Sequence, residues 1–376
     1  MASICHHGVR APRACDIGFK VANSIVITRH GDRSPSVNFY ESAETKVRAE
    51  EDENEWRKVI ASEESLIKLR ERFPVSRLNK DGSRGEPIDS VAKDAKAFGK
   101  LSKLGIKQLF ERGVELERRY QGYFGPGRVC AYSTNYCRTQ QSAQSLLDGL
   151  MHNKHGETTP IHILVPERSQ DVANPWDAND VLQNAVHKAT AEDEFFERHE
   201  REHADIKQTL ISELPHYKED PKRFFWVYAC DYFICRETHN LPIPENLKQC
   251  RSGTLNHTLK RFLKWYNVPS LCDLAAGDLI RKIKSHMQTN DDSFLTVYSA
   301  HDITVLPVLC ALEARKALLS PVYEEHWPLY GSIINFEHLI SKHDNVGYVR
   351  VLFNERELVP PTEFDIFWSS LLVPCP

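Results

Sequence analysis

The run Ile25-Val26-Ile27-Thr28, closed by Arg29-His30-Gly31-Asp32-Arg33-Ser34-Pro35, constrains the fold more than any other stretch. Its β-branched content reads as a buried strand. Glycine, serine and proline then turn the chain into a loop. The same order of strand, polar loop and helix returns twice. Arg128-Val129-Cys130-Ala131-Tyr132 leads through Ser133-Thr134-Asn135 to Arg138-Thr139 and an amphipathic helix with Ala143, Leu146, Leu147 and Leu150. Residues 294–298 lead through Ser299-Ala300-His301-Asp302-Ile303-Thr304 to a helix with Val305, Leu309 and Leu312 on one face. Thr304 is its expected cap, with Pro307 in the first turn. A doubly wound α/β sheet brings such strand ends to one edge, where open sheets bind ligands.

The side chains at these ends narrow the chemistry. Arg29 and Arg33 supply planar forks of donors that match the oxygens of a phosphate. Between two cations, His30 is poorly placed to hold a metal and well placed to attack phosphorus. Arg138 falls near a strand's carboxyl end and a helix amino terminus, where backbone donors favour an anion.

Arg29-His30-Gly31-x-Arg33-x-Pro35 behind a hydrophobic strand resembles the signature of the histidine acid phosphatases, the second branch of the histidine phosphatase superfamily. His301-Asp302-x-Thr304 resembles that family's second signature, and Ser133-x-x-x-x-Arg138-Thr139 the element carrying its third phosphate-binding arginine. Leu104-Gly105-x-x-Gln108 and Trp327-Pro328-x-Tyr330-x-Ser332, followed by Phe336-Glu337, match further family segments. The resemblance implies a three-layer, phosphoglycerate-mutase-like α/β core sheet with a helical cap insertion. It implies a metal-independent phosphomonoester hydrolase, with His30 forming a phosphohistidine and Asp302 donating the proton. Arg29, Arg33, Arg138 and His301 would hold the phosphoryl oxygens, and no metal or cofactor is expected. The Ser-Thr-Asn-x-x-Arg element and Tyr-Ser-Ala-His-Asp resemble most the members acting on lysophosphatidic acid. Inositol phosphates or other small monoesters are the alternative substrates, and a catalytically silent phosphate-binding module is the alternative from a different class. The terminal His-Asp pair and the large insertion favour the acid phosphatases over the related mutases.

In chain order, the α/β core is expected at residues 21–165 and 293–376, with a polar excursion over 38–100. Within the excursion, residues 79–87 read as a loop of turn formers. Residues 101–120 carry a helical pattern, 161–165 a strand, and 347–353 the last strand. Helical patterns dominate 166–292, the expected cap, where Phe224-Phe225-Trp226 and Tyr228 read as core aromatics. Residues 1–20 read as a flexible terminus.

A net charge of -4 argues against a nucleic-acid partner. No apolar run reaches the length of a membrane span. The first twenty residues lack the hydrophobic core of a secretory signal, although a weak organelle-import peptide fits them. The ten cysteines show no metal-ligand spacing, and their pairing stays open. These features lead to the expectation of a reduced, intracellular protein, cytoplasmic or mitochondrial, of undetermined oligomeric state.

Overall fold

The computed structural model describes residues 10–91, 96–121, 123, 127–153, 160–178, 180–289, 293–314 and 327–371. Its strands are β1 (Phe19–Arg29), β2 (Val75–Leu78), β3 (Arg84–Ile88), β4 (Val129–Ser133), β5 (Ile163–Val165), β6 (Leu295–Ala300), β7 (Ile333–Ser341), β8 (Gly347–Phe353) and β9 (Arg356–Glu363). They form one sheet in the order β3-β2-β5-β4-β6-β1-β7-β8-β9, with helices α1 (Lys46–Val59) and α2 (Glu63–Arg72) between β1 and β2 in the chain. The centre, from β2 to β1, is parallel, and both flanks are antiparallel.

Strand alternation divides the core into two layers. On one face Val26, Ala131, Leu295 and Val297 pack with Leu109 and Leu116 of α3 (Lys103–Arg119) and Ala143, Leu146, Leu147 and Leu150 of α4 (Cys137–Leu150). On the other, Ile25, Ile27, Tyr298, Ile334 and Phe336 meet three helices, Asp278–Gln288, Asp302–Ala314 and Phe364–Leu371. Both faces of β1 are therefore dry, as its unbroken apolar run requires. The expected three-layer sheet is present.

Several expected boundaries move. Helix Asp278–Gln288 falls within the expected cap, but its Ile280, Ile283 and Met287 cover the sheet. The excursion returns to the core: β2 pairs in parallel with β5, and β3 closes the sheet edge as its hairpin partner. Part of the expected 79–87 loop is thus strand, and Pro87 is tolerated because β3 lies at the edge. The last strand is β9 rather than β8; Pro360 and Pro361 hid it, again at an edge. The helix after His301 starts at Asp302, so Thr304 lies inside its first turn and Pro307 within the helix. There Thr304 Oγ1 donates to the Ala173 carbonyl at 2.5 Å. Residues 1–9 of the N-terminus lie outside the described residues, whereas Ala14–Ile17 form a short 3₁₀ turn. Phe19 and Lys20 already pair with Ser341 and Ile340, so the core begins before residue 21.

The helical insertion has cores of its own. Trp226 and Tyr232 pack with Phe39, Tyr217, Phe224 and Tyr228, while Phe262, Trp265 and Tyr266 cluster with Phe196 and Trp327. Phe225 departs from the expected core role and is exposed.

Candidate active site

The three strands that carry the chemistry, β4, β6 and β1, are parallel neighbours. Register sets Arg29 beside Ala300 and Ser133 beside Ser299. His30 N donates to the Ala300 carbonyl at 2.9 Å and Thr134 N to the Ser299 carbonyl at 3.2 Å. Side chains that follow these strands therefore leave the sheet at one edge.

The loop after β1 rests on two helices. Gly31 N donates to Ser142 Oγ of α4 at 3.0 Å, and Asp32 N to Gln108 Oε1 of α3 at 2.8 Å. A β-carbon at Gly105 would collide with the Asp32 carbonyl, so only glycine lets α3 approach this closely. Leu104-Gly105-x-x-Gln108 is thus the seat of the loop. Asp32, fully buried, is held by Ser102 Oγ at 2.5 Å and by His239 Nε2 of the cap at 2.7 Å.

His30 is buried, with Nδ1 placed 2.8 Å from the Gly31 carbonyl. A carbonyl only accepts, so Nδ1 carries the proton and Nε2 the lone pair. Burial, reinforced by Arg138, Arg29 and Arg33, holds the imidazole well below its usual pKa, so it stays neutral. His301 stands at a ring-centroid distance of 5.6 Å from His30, and its Nε2 lies 2.9 Å from Thr134 Oγ1. Its pKa is depressed by the same burial and by Arg138.

Each arginine is held differently. Arg29 donates from Nη1 to the Pro328 carbonyl at 2.6 Å, pairs from Nη2 with Asp302 Oδ2 at 2.8 Å, and lies 4.0 Å over the Tyr330 ring. Arg33 is clamped through both Nη atoms by the Asp231 carboxylate of helix Trp226–Thr238, at 2.9 and 3.0 Å. Arg138 projects from the first turn of α4 over the Tyr136 ring at 4.4 Å. Burial, with Arg33 nearby, lowers its pKa to about 10. The Nε groups of all three arginines are buried without a hydrogen-bond partner. An unpaired buried donor costs about 1–3 kcal/mol, so three of them beside a neutral histidine suit an incoming polyanion.

Asp302 accepts from Trp327 Nε1 at 3.1 Å and from the backbone N of Ile303 at 2.8 Å. Burial pushes its pKa up, but Arg29, His301 and Arg33 outweigh that and leave it below the ordinary carboxylate value. All six residues expected from sequence thus lie together at the ends of these strands. Asp231, Tyr330, Trp327 and Thr134 join them through contacts to Arg33, Arg29, Asp302 and His301. Tyr330 and Trp327 belong to a segment whose family resemblance pointed to them; Asp231 gave no signal, being one acid on a cap helix.

Residues 20–354 match the family described as the histidine phosphatase superfamily (branch 2). Lysophosphatidic acid phosphatase type 6 of Bos taurus is 23% identical, over 89% of this chain and 77% of its own length. Lysosomal acid phosphatase of Homo sapiens is 24% identical over 80% of this chain and 74% of that protein. The solved multiple inositol polyphosphate phosphatase of Bifidobacterium longum, in complex with inositol hexasulfate, superposes with a TM-score of 0.57 at 14% identity, covering 95% of this chain and 89% of that one. At that identity the likeness is one of fold.

Proposed function

The chain belongs to branch 2 of the histidine phosphatase superfamily, and we propose that it hydrolyses phosphate monoesters through a phosphohistidine on His30. The observation that carries this reading is the neutral His30 Nε2 set among three guanidiniums with unpaired Nε donors. Nε2 attacks phosphorus, the P–N bond forms and the P–O bond to the leaving alcohol breaks. Asp302 delivers its proton to that departing oxygen. Water then attacks phosphorus, Asp302 takes a proton back, and phosphate leaves with His30 neutral again. Arg29, Arg33, Arg138 and His301 hold the phosphoryl oxygens as charge shifts in the transition state.

Before substrate arrives, the Arg29 ion pair keeps Asp302 ionised. A phosphoryl dianion offers Arg29 a competing partner and offsets the positive field, so the carboxyl regains its proton more readily. An acidic optimum follows, because the donor must enter the cycle protonated.

For the substrate we favour a lipid monoester of the lysophosphatidic acid kind. Supporting this, the donor Asp302 accepts from Trp327, which packs on Phe262 at 5.2 Å, and Leu329, two residues along the chain, is 53% exposed. An alcohol with an acyl chain gains from such surface; a polyphosphorylated ring would require cations there. Turnover of p-nitrophenyl phosphate, lysophosphatidic acid and inositol hexakisphosphate, compared across pH with a chelator present, tests the reading. The expected result is chelator-resistant acidic activity with kcat/KM highest for the lipid. Preference for the inositol ester would overturn the substrate assignment, and absence of turnover on all three would leave a phosphate-binding module.

A further inference from the structure

The insertion contains a second cluster of functional side chains, remote in sequence from the phosphoryl site. His199 lies in helix Glu194–Glu202, His203 one residue past its end, and His257 in helix Arg251–Tyr266. One ring nitrogen from each lies within 4.8 Å of the other two. We propose that His199, His203 and His257, with Glu202 as fourth ligand, bind one divalent transition cation of the zinc class and so tie two cap helices together.

The hydrogen bonds already orient the lone pairs. His203 Nδ1 sits 2.9 Å from the His199 carbonyl and must donate to it, which leaves Nε2 as a ligand. His257 is fully buried and both its ring nitrogens lack a hydrogen-bond partner; Nε2 lies 3.2 Å from Glu200 Oε2, which leaves Nδ1 as the ligand atom. His199 Nε2 points to the His257 carbonyl at 3.3 Å, leaving Nδ1 at 3.6 Å from Glu202 Oε2. That separation approaches the edge of about 3.3 Å for a tetrahedron with Zn–N and Zn–O bonds of about 2.0–2.1 Å. Carbonyl and carboxylate partners on the far ring nitrogens are the outer shell that metal-bound histidines require. The His199 and His257 rings are stacked at 4.4 Å with 8° between planes. A metal lies in the plane of each imidazole that binds it, so loading swings one of these rings out of the stack.

His199-Glu200-x-x-His203 also matches the helical pattern in which two histidines hold zinc and the glutamate acts as general base. Here Glu200 is occupied. Lys207 Nζ at 2.7 Å, Trp226 Nε1 at 3.1 Å, Arg261 Nη1 at 3.5 Å and His257 Nε2 at 3.2 Å all converge on it. A carboxylate held by three donors inside the cap, with an imidazole against it, serves as an anchor and not as a base. The ion therefore acts on the cap. Through Glu200 and Trp226 it adjoins helix Trp226–Thr238, which holds Asp231 against Arg33.

Full-length protein, stripped of metal and titrated with Co(II), tests the site. The expected result is one equivalent giving the intense visible bands of tetrahedral coordination, displaced by Zn(II), with a raised Tm. His203→Ala, at a partly exposed position, and His257→Gln should each lose that equivalent and the Tm gain, with their circular dichroism unchanged. Cys5-His6-His7 offers a competing sequence, so His6→Ala/His7→Ala is the control and should keep the tetrahedral equivalent. Only weak octahedral bands in the parent, or tetrahedral binding retained by His203→Ala, would overturn the proposal. If His257→Gln fails to fold, His203→Ala alone decides.

Discussion

At the scale of residues, the site separates a neutral nucleophile from a proton donor restrained by an arginine. Asp302→Ala should lower turnover of alkyl phosphates by about 10²–10⁴-fold, the usual worth of general acid catalysis. Loss on p-nitrophenyl phosphate should be smaller, because that leaving group departs without a proton; steady-state rates on both esters check it. Asp231 provides a different test. Removing one partner of a buried pair costs about 3–5 kcal/mol, so Asp231→Asn should destabilise the protein by that order. Inorganic phosphate can replace the lost counter-charge on Arg33, so its addition should raise Tm more in Asp231→Asn than in the parent. His30, Arg138 and Asp302 were legible because each follows a strand at a fixed offset that the sequence prints. Asp231 was not, since its pairing with Arg33 depends on how a helix nearly two hundred residues later folds back.

At the scale of elements, close backbone approach holds the nucleophile loop. Gly105→Ala places a methyl group against the Asp32 carbonyl, so α3 must shift and carry the loop with it. Such a displacement should cost about 10²-fold in kcat/KM. At the other end of α3, the buried Glu337 accepts from Arg350 Nε at 2.7 Å, Arg119 Nε at 2.7 Å and Tyr120 Oη at 2.6 Å. Arg350→Ala should destabilise by about 3–5 kcal/mol in denaturant unfolding. Burial raises the Glu337 pKa, but Arg119 and Arg350 outweigh it and keep the value below ordinary. The network's stability is therefore present above the ordinary carboxylate value of about 4.3 and is lost as pH falls through the lower folded value. Strands with unbroken β-branched runs were legible from sequence. β3 and β9 were not, because proline reads as a breaker until the sheet reveals that both lie at edges, where a missing donor leaves no gap in the ladder. The same limit misplaced helix Asp278–Gln288: its apolar face reads alike whether it covers a sheet or a cap.

At the scale of the whole molecule, the parallel centre of the sheet gathers three distant chain segments, and the cap supplies the acid that clamps Arg33. The pH behaviour belongs to this scale. His30, depressed well below its usual pKa, stays nucleophilic through the acidic range, and kcat should fall on the alkaline side as Asp302, reprotonated once the phosphoryl group engages Arg29, loses its proton in the substrate complex. Cys15, Cys230, Cys235, Cys250 and Cys272 are free thiols, and packed clusters on both faces of the sheet hold the described architecture. The central claim is the phosphohistidine. Protein mixed with substrate, quenched in alkali within a single turnover and digested for mass spectrometry should carry one phosphoryl group on the peptide holding His30. That adduct should be absent, together with turnover, in His30→Ala. Hydrolysis with no phosphoryl group at His30, or undiminished hydrolysis by His30→Ala, would contradict the account.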